Sequence, residues 1–372
     1  MSKPKGKTGT KNRMKRIDTA FRRHKSNDSY QYRELRTWKE LTDFYNKVFP
    51  KRKTSRWLFR GDVFDWKKVS ERSMKDAFRT SLDKAFKEFN RRDNIQKASR
   101  GQETKRNKIE KRILRSFRRR AHLLAGDKDG IQNHLETFAL LRHYGGPARI
   151  LDWTYSFFPA VYLAINRYDK SNTYTVWVLN NQWLKEVSGS AEEDLLMDED
   201  YLLYHFKYIK KRKKQTEQEK NRQKEKYSEI KRRLDYYTQH DNNRLQSLVI
   251  TYLMNKNSKS LIYAANPYRL NERLAAQRGV LLFSGTIEKT WGENLRDVMA
   301  NPPRNKYGKE IKVKGPILWE ISLKLSKNRR NEFLRRLDEM NINQSTLFPD
   351  LNGFAESLRT RIAHPESLGI DD

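Results

Sequence analysis

The residues best suited to chemistry lie in two short stretches, each next to an apolar run. Residues 57–62 place Arg60 and Gly61 directly after three apolar side chains. Residues 142–154 hold His143, a glycine pair, a proline and an Asp-Trp-Thr triplet. The ends of buried strands are where α/β proteins usually position their binding and catalytic side chains. We therefore predict that the two stretches border one cleft.

Each candidate side chain suits a particular part of a nucleotide. Arg60 can present a two-pronged fork to phosphate, and Gly61 leaves room for the ligand to approach. His143 can act near neutral pH or hydrogen-bond a ribose hydroxyl. Asp152 can accept ligand hydroxyls or stabilise a developing positive charge. The other candidates are two aromatic residues that can stack on a flat ring and three polar residues: Tyr144, Trp153, Thr154, Gln277 and Glu320.

A purely structural interpretation of the same residues remains open. Arg60 and Asp152 can form one buried ion pair that holds two strands together, with Trp153 filling the core. Buried charges need partners wherever they occur.

Four stretches, in this order along the chain, resemble the FRG domain family, which is named for its Phe-Arg-Gly motif. They are residues 57–61, 143–154, 273–279 and 347–351, within roughly residues 55 to 360. The family usually has Gln where Arg142 stands. The resemblance implies a fold but no settled activity.

The order of these elements is also loosely similar to the ADP-ribosyltransferase plan. In that plan a strand ending in Arg-Gly holds the phosphates of a dinucleotide, and a second strand carries Ser or Thr before a helix. Residues 59–61 match the first element and residues 151–154 the second. Either Gln277 or Glu320 would supply the acid or glutamine of the third strand. This resemblance implies NAD as a co-substrate.

Composition narrows the class of partner. The chain has 372 residues and a net charge of +33, from 79 Lys and Arg against 46 Asp and Glu. Such a surplus attracts polyanions, so we predict nucleic acid or a ribonucleoprotein as partner, with a merely solvated basic surface as the alternative.

The absence of cysteine removes disulfides and the usual zinc sites, the histidines lack metal spacing, and we predict no metal. No apolar stretch reaches the ~20 residues of a membrane span, and we predict a cytoplasmic protein.

The pattern along the chain predicts an α+β fold, with a mixed central sheet flanked by helices and an inserted charged helical hairpin. We predict a disordered basic arm over residues 1–28, a first part of the domain over 29–183, a charged, solvated helical insertion over 184–245 and a second part over 246–372. Helical spacing of apolar residues predicts a helix over 32–49. The basic residues of 91–120 and 207–233 are interpreted as polyanion-binding or, alternatively, as a solvated helix face.

These features favour an NAD-consuming or ADP-ribosyl-transferring enzyme of the toxin or defence type, which acts on or is recruited to nucleic acid or a ribosomal target. One alternative is a nucleic-acid-binding protein without catalysis. Another is a metal-dependent nuclease that uses Asp152 and Glu320. The acceptor, the oligomeric state and any regulatory protein partner remain open.

Overall fold

The computed structural model describes most of the chain between residues 27 and 361. The described ranges are 27–49, 56–62, 74–89, 105–125, 133–167, 172–198, 201–203, 217–256, 259–268, 271–304, 311 and 313–361. The basic arm predicted for residues 1–28 and the basic stretches 91–104 and 207–216 lie almost entirely outside these ranges.

A seven-stranded mixed sheet forms the centre of the described structure and confirms the predicted α+β class. Its strands are β1 (Tyr30–Leu35), β2 (Trp57–Asp62), β3 (Ile150–Thr154), β4 (Thr173–Asn180), β5 (Ile262–Ala265), β6 (Gly279–Ser284) and β7 (Leu318–Lys324). The spatial order is β1-β7-β4-β2-β3-β6-β5. The pair β1 and β7 is parallel, and the other neighbours are antiparallel.

Helices pack on both faces of this sheet. In chain order they are α1 (Trp38–Val48), α2 (Met74–Ala77), α3 (Ser81–Phe89), α4 (Lys105–Ala125), α5 (His134–His143), α6 (Phe157–Ile165), α7 (Asn181–Met197), α8 (Glu217–His240), α9 (Asn242–Lys256), α10 (Glu272–Ala276), α11 (Trp291–Ala300), α12 (Lys327–Glu339), α13 (Gln344–Leu347) and α14 (Leu351–Arg361). Within the described residues, none has the length and apolar character that crossing a bilayer requires.

The predicted helix over 32–49 is correct only in its second part. Residues up to Leu35 pair with β7 as strand β1, and the helix starts at Trp38, after the N-cap Thr37. The Thr37 hydroxyl accepts the amide of Glu40 at 3.2 Å, which satisfies one of the unpaired donors at the helix start.

The charged segment 184–245 is helical at all of its described residues except 198 and 241, but it is less solvated than predicted. Leu184, Val187 and Ala191 of α7 are fully buried and belong to the same hydrophobic cluster as the sheet. In α8, Ile230 and Leu234 are buried in that cluster as well. The predicted boundary at residue 184 therefore falls inside a core helix, because the apolar side of α7 outweighs the charged composition of the segment.

The sheet is split between its strands β2 and β3. Strand β2 pairs with β4 along its whole length, and β3 pairs with β6 along its whole length. Between β2 and β3, however, Phe59 and Thr154 form the single paired position. The two strands separate after this pair, so that residues 60–62 and Asp152 face an opening.

Candidate ligand-binding cleft

A cleft of about 930 Å³ lies where β2 and β3 separate. Its walls come from the ends of β2 and β3, the C-terminal turns of α5 and α6, helix α10 and residues 344–356. All of the predicted site residues except Glu320 line it: Arg60, Gly61, His143, Tyr144, Asp152, Trp153, Thr154 and Gln277.

Arg60 bridges the opening between the two strands. Its Nη1 donates to the main-chain carbonyl of Asp152 at 2.7 Å. Its Nε is buried and has no hydrogen-bond partner among the described residues. Burial lowers the pKa of the guanidinium, and the nearby carboxylates of Asp62 and Asp152 oppose that shift. The Nη1 atom is thus held by the protein, and the Arg60 side chain lines the cleft.

The carboxylate of Asp152 is paired with Arg142 and not with Arg60. Arg142 donates to Asp152 Oδ2 from Nε at 2.9 Å and from Nη2 at 2.8 Å. The predicted alternative of an Arg60–Asp152 ion pair is therefore wrong, since Arg60 meets only the main chain of that residue. Arg142 compensates much of the negative charge of Asp152.

Asp62 is the carboxylate that the sequence reasoning missed. It ends β2, and side chains two residues apart along a strand share a face, so Asp62 points to the same side as Arg60. Burial raises its pKa, against the attraction of Arg60 and Lys84. No other described residue forms a hydrogen bond or an ion pair with its carboxylate. Side chains alternate between the two faces of a strand, and this alternation, counted from Arg60, is the sequence signal that indicates Asp62.

Gly61 has a different function from the one predicted. A Cβ at this position would overlap the main-chain carbonyl oxygen of Ala160 and the amide nitrogen of Ala164 in α6. The glycine therefore allows α6 to pack closely on β2, and the space beside it is filled by the helix. Within the Phe-Arg-Gly motif, Arg60 lines the cleft, and Gly61 allows α6 to pack closely on β2.

The glycine pair after α5 ends that helix at the mouth of the cleft. Gly145 has a φ of +76°, its amide donates to Arg142 O at 3.0 Å, and the Gly146 amide donates to Leu141 O at 2.8 Å. These two bonds form a Schellman motif, in which glycine is favoured at the left-handed position. The motif fixes His143 and Tyr144 in the last turn and at the C-cap.

His143 and Tyr144 offer different surfaces to the cleft. The Nδ1 atom of His143 is buried without a hydrogen-bond partner among the described residues. The two rings meet edge to face with centroids 4.9 Å apart, and Tyr144 is 63% exposed. The Tyr144 ring is therefore accessible for stacking on a planar group.

Thr154 and Gln277 hold the walls of the cleft together. The Thr154 hydroxyl donates to the main-chain carbonyl of Gln277 at 2.6 Å and accepts the amide of Ser156 at 2.9 Å. Gln277 Nε2 donates to the carbonyl of Leu347 at 3.0 Å. These bonds tie β3 to the turn after α10 and to α13, so both residues act as braces of the site.

Two predicted site residues point elsewhere. The Trp153 ring is 2% exposed and stacks in the core against Phe78 and Trp291, with centroids 6.1 and 6.2 Å away. Glu320 lies in β7, is 1% exposed and accepts the hydroxyl of Tyr30 at 2.5 Å. Glu320 does not line the cleft, and β4 and β2 lie between β7 and β3.

The C-terminal wall contains residues that the sequence motifs only indicated. Arg273 lies over the ring of Phe348 at 4.4 Å, and burial lowers the pKa of its guanidinium. Asp350 accepts the amide of Gly353 at 2.6 Å and so caps α14. The Leu-Phe-Pro-Asp-Leu stretch thus contributes Phe348, Asp350 and Leu351 to the lining of the cleft.

Charge in the cleft is balanced. Four arginines and four carboxylates line it: Arg60, Arg142, Arg167 and Arg273, with Asp62, Asp152, Asp350 and Glu356. In a chain of net charge +33 this balance is local. It suits a ligand that carries both anionic groups and hydroxyl or cationic groups. Among the described residues, no group of three or more His, Cys, Asp or Glu side chains is arranged to hold a metal ion.

The fold and the cleft define an α+β protein with a polar cleft at a split in its sheet. Residues 55–173 match the family model of the FRG domain, which confirms the resemblance for the first two of the four motifs, 57–61 and 143–154. This segment includes β2, β3 and the cleft residues Arg60, His143 and Asp152. Comparison of the chain with curated proteins and with solved structures finds no match.

Proposed function

We propose that the cleft binds NAD and breaks the bond between its nicotinamide ring and the ribose. The C1′–N bond breaks with its electron pair on nicotinamide. An oxygen of water or of an acceptor then bonds to C1′ and loses its proton. The acceptor or recruiting target that we propose is nucleic acid or a ribonucleoprotein, and an enzyme that consumes NAD in this way suits a role in toxicity or defence.

The observation that carries the proposal is the pair formed by Arg60 and Asp62 on one face of β2. Arg60 has an unpartnered Nε among the described residues and a guanidinium geometry that matches phosphate oxygens. Asp62 has a carboxylate with no direct partner among those residues. Cleavage of NAD uses both: cations that hold the pyrophosphate and a carboxylate near the ribose carbon from which nicotinamide departs.

The carboxylate of Asp62 contributes mainly to the transition state. Positive charge develops on the ribose as nicotinamide departs, and a fixed carboxylate in a partly buried site stabilises that charge. Asp152 is less suited to this role because Arg142 already neutralises it. We therefore assign transition-state stabilisation to Asp62, in place of the Asp152 that the sequence favoured.

Other cleft residues provide binding. Arg273, held over Phe348, is a second cation for phosphate. The exposed ring of Tyr144 can stack on a base or on nicotinamide. His143 lines the cleft, and its ring can hydrogen-bond a ribose hydroxyl.

The alternatives differ in what supports them. A nuclease that uses Asp152 and Glu320 loses its basis, because these residues lie on strands separated by two others. Nucleic-acid binding without catalysis has its own support in the basic helix α4 and does not require the cleft.

The experiment is to incubate the full chain with NAD, alone and with duplex RNA or DNA, and to follow free nicotinamide. We expect release by the parent protein and a loss of about 10²-fold in Arg60→Lys, since an ammonium keeps the charge but loses the fork. The matched control is Arg335→Lys on α12, an exposed arginine outside the cleft that pairs with Glu339. It should leave release unchanged. Absence of nicotinamide under every condition would overturn the proposal.

A further inference from the structure

We propose that the outer face of α4 is a docking surface for the phosphate backbone of nucleic acid. This inference depends on the charge arrangement of one helix and stands whether or not NAD is the ligand of the cleft. If both proposals hold, it names the polymer to which the reaction is recruited.

Four cations form a continuous stripe on this helix. Lys108, Arg112, Arg115 and Arg119, which we call the outer stripe, are exposed and follow one another at intervals of four, three and four residues. This spacing keeps them within about 60° of one another around the helix and spreads them over about 16 Å of its axis. None of the four forms a hydrogen bond or an ion pair with another described residue.

The opposite face of α4 is occupied by the protein. Asn107 donates to the carbonyl of Met254 at 3.0 Å, and Leu114 is 2% exposed. Glu110, the one acidic residue in the sequence of this helix, is buried in an ion pair with Arg149. The outer stripe therefore has no counterion on its own helix.

Other basic helices of the described structure carry their own counterions. On α8, Glu229 pairs with Lys226 and Arg233. On α12, Glu332 and Glu339 pair with Arg336 and Arg335. Like charges three and four residues apart destabilise a helix, and cations in its first turn oppose the helix dipole. Because α4 has both features, with Lys105 and Arg106 at its start and no acid in its first turn, its charge pattern is unfavourable until a polyanion is bound.

The chemistry of the stripe favours nucleic acid over a membrane or an acidic protein. Three of its four members are arginines, whose forks match phosphate oxygens. A helix that binds a membrane must insert an apolar face, and the apolar face of α4 is already buried against the core. A row of cations about 16 Å long suits the regularly repeated phosphates of a duplex, whereas an acidic protein would need carboxylates placed to match it.

The test compares two variants with the same change in charge. The first carries Lys108→Gln, Arg112→Gln, Arg115→Gln and Arg119→Gln. The control carries Arg222→Gln, Lys224→Gln, Lys231→Gln and Arg232→Gln, four exposed cations of α8. Binding of fluorescein-labelled 20-base-pair DNA and RNA duplexes is measured by anisotropy from 50 to 200 mM KCl, and the melting temperature of each variant checks that it folds.

We expect the α4 variant to lose about 10²-fold in affinity at 100 mM KCl and to lower the slope of log affinity against log salt by about 3, through the loss of released counterions. The α8 variant should lose less than about threefold. The DNA and RNA arms identify which duplex is preferred, and a loss on either supports the inference. If the α4 variant melts early, the pairs Lys108/Arg112→Gln and Arg115/Arg119→Gln are measured separately, each with an expected loss of about tenfold.

Three outcomes would overturn the inference. Equal losses in the two variants would mean that net charge alone drives binding, and no loss in the α4 variant would remove the surface. Equal competition by poly-glutamate at the same charge concentration would assign the stripe to an acidic protein. Nicotinamide release in the absence of nucleic acid should be unchanged in the α4 variant, so failure of the NAD proposal stays distinguishable from failure of this one.

Discussion

The cleft and the outer stripe of α4 both present arginines, but they surround them differently. In the cleft, Arg142 is fixed by Asp152, and Arg60 is held by a main-chain carbonyl with Asp62 close by. On the outer stripe, no described carboxylate approaches any of the four cations. Fixed, balanced charges orient a small ligand at short range. Unbalanced exposed charges act over distance and are sensitive to salt.

The difference assigns separate tasks to the two regions. A chain of net charge +33 could attract nucleic acid with any part of its surface, yet its cleft contains as many carboxylates as arginines. The cleft therefore gains little from the overall charge. Selection of a small ligand and attraction of a polyanion are expected to respond independently to mutation, unless the two regions are coupled through the fold.

The largest effect of a mutation is expected at the ion pair that connects α4 to the start of β3. Glu110 of α4 pairs with Arg149, which directly precedes β3, and both side chains are almost completely buried. Glu110→Gln leaves the Arg149 charge in the core without its carboxylate, which costs about 3–5 kcal/mol. We expect the melting temperature to fall by roughly 6–15 °C, and nicotinamide release and duplex binding to be lost together as the protein unfolds.

The control for this change is Glu229→Gln on α8, which removes an exposed carboxylate from two helix-surface pairs. It should leave the melting curve unchanged, because such pairs contribute little to stability. An unchanged melting temperature in Glu110→Gln would show that α4 and β3 are not coupled in this way.

Two of the four carboxylates that line the cleft, Asp62 and Asp152, should respond in opposite directions to mutation. Asp62→Asn should lower turnover by about 10²-fold while raising the melting temperature by roughly 1–4 °C. The sign follows from its pKa, which burial raises in the folded protein. The folded state binds the proton more readily than the unfolded chain, so stability falls as pH rises through the window above 3.8, and a neutral side chain removes that loss.

Asp152→Asn is the matched comparison. It releases Arg142 from its ion pair. We expect a lower melting temperature, a fall in turnover of less than about tenfold, and no increase in the NAD Michaelis constant, since the freed Arg142 adds a cation to the cleft. If Asp152→Asn costs more turnover than Asp62→Asn, the roles proposed for the two residues must be exchanged.

In the Phe-Arg-Gly motif, Arg60 lines the cleft, whereas the adjacent Gly61 is required for the packing of α6 on β2. Gly61→Ala should destabilise the fold by about 1–3 kcal/mol or more, because its Cβ meets the main chain of α6, which cannot rotate away as a side chain can. The control is Gly189→Ala in α7, where the added Cβ meets no atom within 4 Å. Alanine should stabilise that helix by about 0.5–1 kcal/mol. Equal thermal unfolding curves for the two variants would contradict this interpretation of Gly61.

The predictions from the sequence were correct where unusual residue types determine the local structure. Glycines and prolines next to apolar runs indicated the ends of elements, and Arg60, His143 and Asp152 meet in the cleft because those ends converge where β2 and β3 separate. The predictions were wrong where strand order decides the outcome. The position of Glu320 depends on β7 pairing with β4 and β1, which no local pattern reveals.

Strand alternation explains two differences between the predicted and the observed site, at Trp153 and at Asp62. Trp153 lies between Asp152 and Thr154, so if one of these side chains faces the cleft, the tryptophan must face the core. By the same rule Asp62 shares the face of Arg60. Strand β1 was harder to predict, since a polar hexapeptide becomes a strand only through its parallel pairing with β7, almost 290 residues away along the chain.

The smallest expected effect is that of salt on the cleft. Raising KCl from 50 to 200 mM should weaken duplex binding by more than about 10²-fold, because several cations release counterions on binding. The NAD Michaelis constant should change by less than about threefold over the same range. The reason is that the cleft arginines act at short distances, next to an equal number of carboxylates, where screening by salt is weak. Both constants are measured on one preparation, by nicotinamide release and by anisotropy. A Michaelis constant that rises tenfold or more would mean that the cleft attracts its ligand by net charge, as α4 does. Duplex binding that is insensitive to salt would instead remove the phosphate contacts proposed for the outer stripe.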